Sequence, residues 1–225
     1  MIDYYKPIPK TDFPTIEKYE IENVSEPMVS LSELGFEILS VYFAKMLPGS
    51  IEDAYARETV ANMLIKASGL LPEGYSFVIF DAYRPITVQQ ALWDDYRAEV
   101  AESHPGLDEA ETDRLTAIFV SPPSYNEMQP SLHNTGGAID LTIKDNRGHL
   151  LNMGTEFDTF RESSNTAYFE GSDNTEVINN RRMLFNVMTE AGFENLPSEW
   201  WHFEYGTKFW GYFSGKRPLY KGILD

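Results

Sequence analysis

The chain has 225 residues, of which 42% are hydrophobic and 14% aromatic, so it is long and apolar enough to bury one sizeable core. It contains no cysteine, which excludes thiol catalysis, disulfide scaffolds and thiolate-ligated metals and leaves histidine and carboxylate as metal ligands. The formal net charge of −17 disfavours binding to nucleic acid and to anionic membranes.

The amino-terminal region, residues 1–30, contains four prolines and little periodicity, so we expect an extended arm that lies over the fold. The aromatic residues expected to anchor this arm are Tyr4, Tyr5, Phe13 and Tyr19. No apolar run follows a basic start, and no stretch approaches the ~18 apolar residues of a membrane span. The sequence therefore predicts a cytoplasmic protein without a signal peptide.

Downstream of the arm, the hydrophobic pattern predicts four helices and three strands. The predicted helices cover residues 51–68, a segment that begins at Pro85 and carries Val88 to Val100, a short segment after Asp108, and residues 176–191. The predicted strands are 75–81, 138–143 and 199–205, and residues 121–135 are expected to form a loop. No linker divides the chain, so we expect one α+β domain over residues 1–225, with a small, mostly antiparallel sheet flanked by helices.

The first candidate for chemistry is His133, which is followed by Gly136, Gly137 and, on a predicted strand, Asp140. Strand alternation directs Asp140 away from the apolar face, beside small neighbours. The two glycines permit a tight turn that can bring His133 back next to Asp140. Taken alone, the pattern also fits a loop histidine and an aspartate at a strand start.

The second candidate is His202, in the segment EWWHFE at 199–204. Alternation puts His202 on the less apolar face of the predicted strand, and Glu199 is expected in the turn before it, free to lean over the same site. An aromatic core strand with a satisfied histidine is the alternative. Together, His133, Asp140 and His202 offer the three protein ligands that a catalytic zinc needs, with Glu199 as a carboxylate that can move a proton.

A third candidate, Arg84, lies just after a predicted buried strand that ends at Asp81. A fixed cation at this position can stabilise the developing oxyanion of a tetrahedral intermediate. An ordinary ion pair with Asp81 explains the same residue equally well. The remaining histidines, His104 and His149, lie in predicted turns and are expected at the surface.

The pattern S-x-H-x-x-G-x-A-x-D at 131–140, followed by E-x-W-H at 199–202, resembles the paired signatures of the D-alanyl-D-alanine dipeptidase family. This family comprises zinc peptidases related to those of vancomycin resistance. Linking blocks at 80–85, 153–158 and 180–182 agree with the same resemblance in the same order. The matching segments cover most of the chain.

The resemblance implies a compact α+β fold, shared with zinc D,D-carboxypeptidases and the hedgehog domain, and hydrolysis of D-Ala-D-Ala to two D-alanines. It implies one zinc ion per chain, with His133, Asp140 and His202 as ligands. The catalytic residues that it implies are Glu199, as acid/base catalyst, and Arg84, as transition-state stabiliser. The substrate-binding residues that it implies are Ser131 and Asp158, of which Asp158 meets the free ammonium of the dipeptide.

Other functions remain open at this stage. The same scaffold serves D,D-carboxypeptidases and peptidoglycan endopeptidases, and a non-catalytic zinc-binding domain is a further alternative, as is a metal-free structural domain. A small dipeptide is the expected partner, with no nucleic acid and no membrane. The sequence does not fix the oligomeric state.

Overall fold

A computed structural model describes residues 2–12, 14–16, 18–159 and 161–224 of the chain. Its strands are β1 Met28–Ser30, β2 Glu37–Ile38, β3 Tyr55–Arg57, β4 Ser76–Asp81, β5 Ala138–Lys144, β6 Glu194–Asn195 and β7 His202–Glu204. Its α-helices are α1 Val41–Ala44, α2 Glu58–Ser68, α3 Ile86–Ser103, α4 Glu109–Thr116, α5 Thr175–Ala191 and α6 Lys208–Ser214. Phe13, one of the expected anchors of the arm, lies outside the described residues.

The central sheet has five strands in the order β2-β4-β5-β7-β6. Strand β2 runs parallel to β4, and the other three pairings are antiparallel. A separate two-stranded sheet joins β1 to β3. The expected α+β class with a mostly antiparallel sheet is thus confirmed.

One face of the central sheet forms the hydrophobic core because alternate residues of β4, β5 and β7 are apolar. The paired residues Ile79 and Leu141 lie on this face and are fully buried, and the neighbouring pair Ile139 and Phe203 continues it. Helices α2 and α5 contribute their apolar sides to the same cluster. The opposite face of these strands is therefore free to carry polar side chains.

The prediction of a helix over residues 51–68 is wrong in its first part. Helix α2 begins only at Glu58, and Tyr55–Arg57 forms strand β3, which pairs with the end of the arm at Met28–Ser30. The partner strand is distant in sequence, so the local apolar pattern could not indicate it. Ile65, expected on the buried side of this helix, is 45% exposed.

The predicted strand at 199–205 is also too long, since only His202–Glu204 pair as β7. Glu199 lies in the preceding turn, as expected. Helix α6 was not predicted from the sequence; Thr207 caps its start, where the Thr207 side chain accepts a hydrogen bond from the Trp210 N–H.

Several remaining elements agree with the sequence, whereas β2, α1 and β6 were not predicted. Strand β4 and helices α3, α4 and α5 lie where the pattern predicted them, and Gly192 ends α5 with a φ of 109°. The Asp108 side chain accepts a hydrogen bond from the Glu111 N–H at the start of α4, as its D-x-x-E pattern indicated. None of the described helices is long and apolar enough to span a bilayer.

Besides the pairing of Met28–Ser30 with β3, side-chain hydrogen bonds hold the amino-terminal arm to the body. The Tyr4 hydroxyl donates to the Leu70 carbonyl at 2.7 Å, and the Asn186 side chain donates to the Lys6 carbonyl at 2.9 Å. Tyr4 is therefore confirmed as an anchor, whereas the Tyr5 side chain is mostly exposed.

Candidate metal centre and catalytic site

Three polar residues form a single row across the middle of the sheet. Asp140 of β5 pairs with Asp81 of β4 on one side and with His202 of β7 on the other. The pairing of β4 is irregular between Ile79 and Asp81, so that two β4 residues oppose one on β5. This bulge sets Asp81, rather than the preceding Phe80, opposite Asp140.

His133 reaches this row from the turn that precedes β5. The turn ends at Gly136, whose φ of 72° lies in the left-handed region that glycine adopts without strain. His133 Nδ1 donates to the Ala82 carbonyl at 2.7 Å, which leaves Nε2 pointing to the row, 3.3 Å from Asp140 Oδ2. The expected return of His133 to the side of Asp140 is therefore observed.

The candidate ligand atoms of His133, Asp140 and His202 converge on one point. They all lie within 4.8 Å of one another, and all three side chains are buried. His202 Nδ1 lies 3.1 Å from His133 Nε2 and 3.0 Å from Asp140 Oδ1. Beyond this contact with His202, Asp140 Oδ1 has no partner within the described part of the chain. Two imidazoles and one carboxylate in this arrangement fit a zinc ion with a further open position.

Within this cluster, the charged groups shift the pKa values of their neighbours. Burial by itself raises the pKa of Asp140, but the neighbouring His133 and His202 outweigh it and hold that pKa well below its usual range. Burial lowers the pKa of His202, and the adjacent Asp140 reverses this and raises the pKa to about 9. The carboxylate of Asp140 thus stays ionised, as metal coordination requires.

Glu199 lies at the edge of the same cluster. Its Oε2 is 3.8 Å from His202 Nδ1, and its side chain is 27% exposed toward the cavity. Burial is the main cause that raises the pKa of Glu199, to about 7, and the charge of Asp140 adds to this effect. A carboxylate with a pKa near neutrality can both accept and return a proton at ordinary pH.

The guanidinium of Arg84 is fixed by three side chains. Arg84 Nε donates to Asp81 at 2.8 Å, Nη1 donates to Gln89 Oε1 at 2.9 Å, and Nη2 donates to the Tyr42 hydroxyl at 3.2 Å. Nη2 also lies 3.7 Å from Asp140 Oδ2, beside the candidate metal site. Arg84 therefore makes the ion pair with Asp81 and also faces the site, so the two explanations are compatible.

Sequence reasoning missed Gln89 and Tyr42 as parts of this site. Gln89 lies on the buried side of α3, one turn after Pro85, and is only 3% exposed. A polar residue on the buried side of this helix was the signal available in the sequence. Tyr42 is separated from Arg84 by 42 residues, and nothing in the local pattern connects them.

These side chains line one cavity of about 530 Å³. Ser131 and Asp158, the two expected substrate-binding residues, lie in its wall. Asp158 has a φ of 61°, in the left-handed region that few residues other than glycine adopt. Burial raises the pKa of Asp158, against the lowering effect of Arg84 and Lys45. All seven expected site residues thus surround one cavity: Ser131, His133, Asp140, His202, Glu199, Arg84 and Asp158.

Comparisons with known proteins give matches in sequence and in structure. A family model described as D-ala-D-ala dipeptidase matches residues 53–213. The D-alanyl-D-alanine dipeptidase of Synechocystis is 33% identical over 167 residues, which cover 66% of this chain and 67% of that protein. The namesake from Escherichia coli is 35% identical over 58% of this chain and 55% of its own length. The Enterococcus faecium protein of that name is 32% identical over 64% of this chain and 69% of its own length.

Among solved structures, a crystal structure of the vancomycin resistance D,D-pentapeptidase VanY with Zn(II) matches with a TM-score of 0.45 and 17% identity. The match covers 73% of this chain and 82% of that one. A VanY complex with D-alanine-D-alanine matches with the same TM-score and 16% identity, over 73% of this chain and 80% of that one.

Proposed function

The chain belongs to the D-Ala-D-Ala dipeptidase family, and from this premise we propose that it hydrolyses D-Ala-D-Ala to two D-alanines with zinc as cofactor. The observation that carries the proposal is the convergence of His133, Asp140 and His202 in one cavity, with the Glu199 carboxylate beside them. A hydrolytic metal site needs these parts: three ligands and a group that moves protons.

The metal ligands in this proposal are His133 through Nε2, His202 through Nδ1 and the carboxylate of Asp140. Zinc bound there would polarise the peptide carbonyl and make a water molecule more acidic. The described part of the chain contains one such cluster, so we expect one zinc ion per chain.

Glu199 is the proposed acid/base catalyst. It takes a proton from the attacking water as the new C–O bond forms at the peptide carbon. It then delivers that proton to the nitrogen of the departing D-alanine as the C–N bond breaks. Its pKa of about 7 suits both transfers, because neither protonation state is strongly favoured near neutral pH.

Arg84 is proposed to stabilise the negative charge that develops on the carbonyl oxygen. Its contacts with Asp81, Gln89 and Tyr42 hold the guanidinium in one orientation before substrate arrives. Such preorganised charge costs no rearrangement during the reaction.

Ser131 and Asp158 are proposed to bind the dipeptide. Asp158 is a mostly buried carboxylate in the cavity wall, and an ammonium group is a partner that compensates its burial. This pairing would favour a free dipeptide over a longer peptide, whose corresponding nitrogen is uncharged.

The proposal is tested by hydrolysis of D-Ala-D-Ala and of L-Ala-L-Ala by the same zinc-loaded protein. We expect release of D-alanine from the first substrate, little reaction with the second, loss of activity with a chelator and recovery when zinc is returned. Activity that persists after complete removal of metal, or no cleavage of D-Ala-D-Ala by zinc-loaded protein, would contradict the proposal.

A further inference from the structure

Glu204 is a fully buried carboxylate with no part in the mechanism proposed above. It is 0% exposed, and it does not belong to the lining of the cavity, so it cannot touch the substrate. One of its oxygens, Oε2, accepts a hydrogen bond from the Thr207 hydroxyl. Its other oxygen, Oε1, has no hydrogen-bond partner within the described residues. A buried carboxylate that is only half satisfied is costly, so its retention calls for a physical reason.

An imidazole beside Oε1 explains its placement. His202 and Glu204 are two residues apart on β7, so their side chains lie on the same face of the strand. His202 Nε2 lies 3.7 Å from Glu204 Oε1, and it also lacks a hydrogen-bond partner among the described groups. The other nitrogen, Nδ1, faces His133 and Asp140. The imidazole therefore has the proposed metal site on one side and the Glu204 carboxylate on the other.

His133 provides an internal comparison. Its inner nitrogen, Nε2, faces the cluster, and its outer nitrogen, Nδ1, is fixed by the Ala82 carbonyl at 2.7 Å. Histidines that bind metals in proteins generally donate their outer N–H to a carbonyl or a carboxylate, which fixes the tautomer and the ring orientation. Glu204 lies on the corresponding outer side of His202, with Oε1 3.7 Å from Nε2, a longer distance than the hydrogen bond between Ala82 and His133.

The local sequence holds Glu204 in that position. Its partner across the sheet is Ala138, whose small side chain leaves room on this face. Thr207 begins helix α6, so the hydroxyl that binds Oε2 is itself fixed by the helix start.

We infer that Glu204 is a positioning residue that fixes the outer nitrogen of His202 and thereby strengthens metal binding by the inner nitrogen. The inference rests on the proposed function, because it takes His202 as a metal ligand. It adds a residue that acts through His202 and has no contact with substrate.

The test compares zinc affinity in Glu204→Gln and in Glu194→Gln, measured by competition with a chromophoric chelator. Glu194 is the matched control, because it is a carboxylate directly opposite Glu204 on β6. We expect zinc to bind about 10- to 100-fold more weakly to Glu204→Gln, as for loss of other outer-shell carboxylates, and with unchanged affinity to Glu194→Gln. Circular dichroism establishes that both variants are folded.

A second measurement covers the case in which Glu204→Gln fails to fold. In the zinc-loaded wild-type protein labelled with ¹⁵N-histidine, the Nε2–H of His202 should give a low-field proton signal that exchanges slowly with water. Absence of that signal would overturn the inference, as would zinc affinity in folded Glu204→Gln within twofold of wild type. In either case, cleavage of D-Ala-D-Ala by the wild-type protein would leave the proposed function intact. A wild-type protein that binds no zinc would overturn both.

Discussion

Arg84 and Gln89 are joined by a hydrogen bond of 2.9 Å, in which Arg84 Nη1 donates to Gln89 Oε1. Gln89 in turn donates to the Ser121 carbonyl at 2.6 Å, so the first turn of α3 connects the cavity arginine to the loop that leads to Ser131. The orientation of the guanidinium thus depends on groups from three separate parts of the chain.

This dependence predicts the effect of Arg84→Lys. A lysine keeps the positive charge, but a single ammonium cannot reproduce the planar set of donors that binds Asp81, Gln89 and Tyr42 together. We expect kcat for D-Ala-D-Ala to fall about 10²-fold, with a smaller change in KM. Arg182→Lys is the control, because Arg182 pairs with Glu170 and the bound arm, outside the cavity. A near-wild-type rate in Arg84→Lys would show that Arg84 serves only as a structural ion pair.

The ligand assignment predicts loss of metal from two single variants. His133→Ala and His202→Ala each remove one of three ligands, so zinc should be absent from both after dialysis, as measured by metal analysis. His149→Ala should retain zinc, because the His149 side chain is 72% exposed and lies beside Asp145. Full zinc content in either of the first two variants would show that the assignment is wrong.

Glu199→Gln separates proton transfer from metal binding. The glutamine has nearly the same shape but cannot accept the proton of the attacking water. We therefore expect normal zinc content and a rate lower by about 10²- to 10⁴-fold. Glu156→Gln, which removes an exposed carboxylate, should leave the rate unchanged. Loss of zinc from Glu199→Gln would instead identify Glu199 as a ligand.

The position of Asp158 in the cavity wall predicts selectivity for the free dipeptide. Acetylation of the substrate nitrogen removes its charge and would leave the buried Asp158 carboxylate without a partner, at a cost of several kcal/mol. N-acetyl-D-Ala-D-Ala should therefore be a very poor substrate, and Asp158→Asn should chiefly impair cleavage of the unmodified dipeptide. Equal cleavage of the two substrates would favour a D,D-carboxypeptidase.

The lowered pKa of Asp145 predicts a pH dependence of folding stability that does not involve the candidate catalytic site. Backbone N–H groups, chiefly that of His149, and the Arg147 side chain lower the pKa of Asp145 to about 2 from its ordinary 3.8. A lowered pKa means stabilisation that is complete above about pH 4 and is lost as the pH falls through 2. The difference in Tm between wild type and Asp145→Asn should thus shrink from pH 5 to pH 2. A difference that stays constant over this range would contradict the assignment.

The sequence predicted seven residues that the structure brings together around one cavity. Local rules pointed to five of them, whereas Ser131 and Asp158 came from the family resemblance alone. The turn at Gly136 and the alternation of β5 are local properties, and they suffice to bring His133 beside Asp140. The bulge that sets Asp81 opposite Asp140 is different, since it depends on how two distant strands pair. No periodicity in one strand reveals the register with another.

For the same reason, the contacts that support the site could not be predicted from the sequence. Tyr42 contacts Arg84 although 42 residues separate them in the sequence. Tyr55–Arg57 forms a strand because it pairs with the end of the arm. Glu204 is one of many acidic residues in the sequence, and only its burial behind His202 distinguishes it from a solvated surface charge. Strand alternation places Glu204 on the same face as His202, but its burial is a property of the folded chain.

The row formed by Asp81, Asp140 and His202 exists only when β5 is in its observed register with β4 and β7. Because side chains alternate along a strand, a slip of β5 by one residue would turn Asp140 into the apolar layer and turn Ile139 or Leu141 outward. A molecule folded with such a slip would lose both its packing and the proposed metal ligands. The alignment that buries the apolar face of β5 is therefore the same one that gathers His133, Asp140 and His202 on the other face.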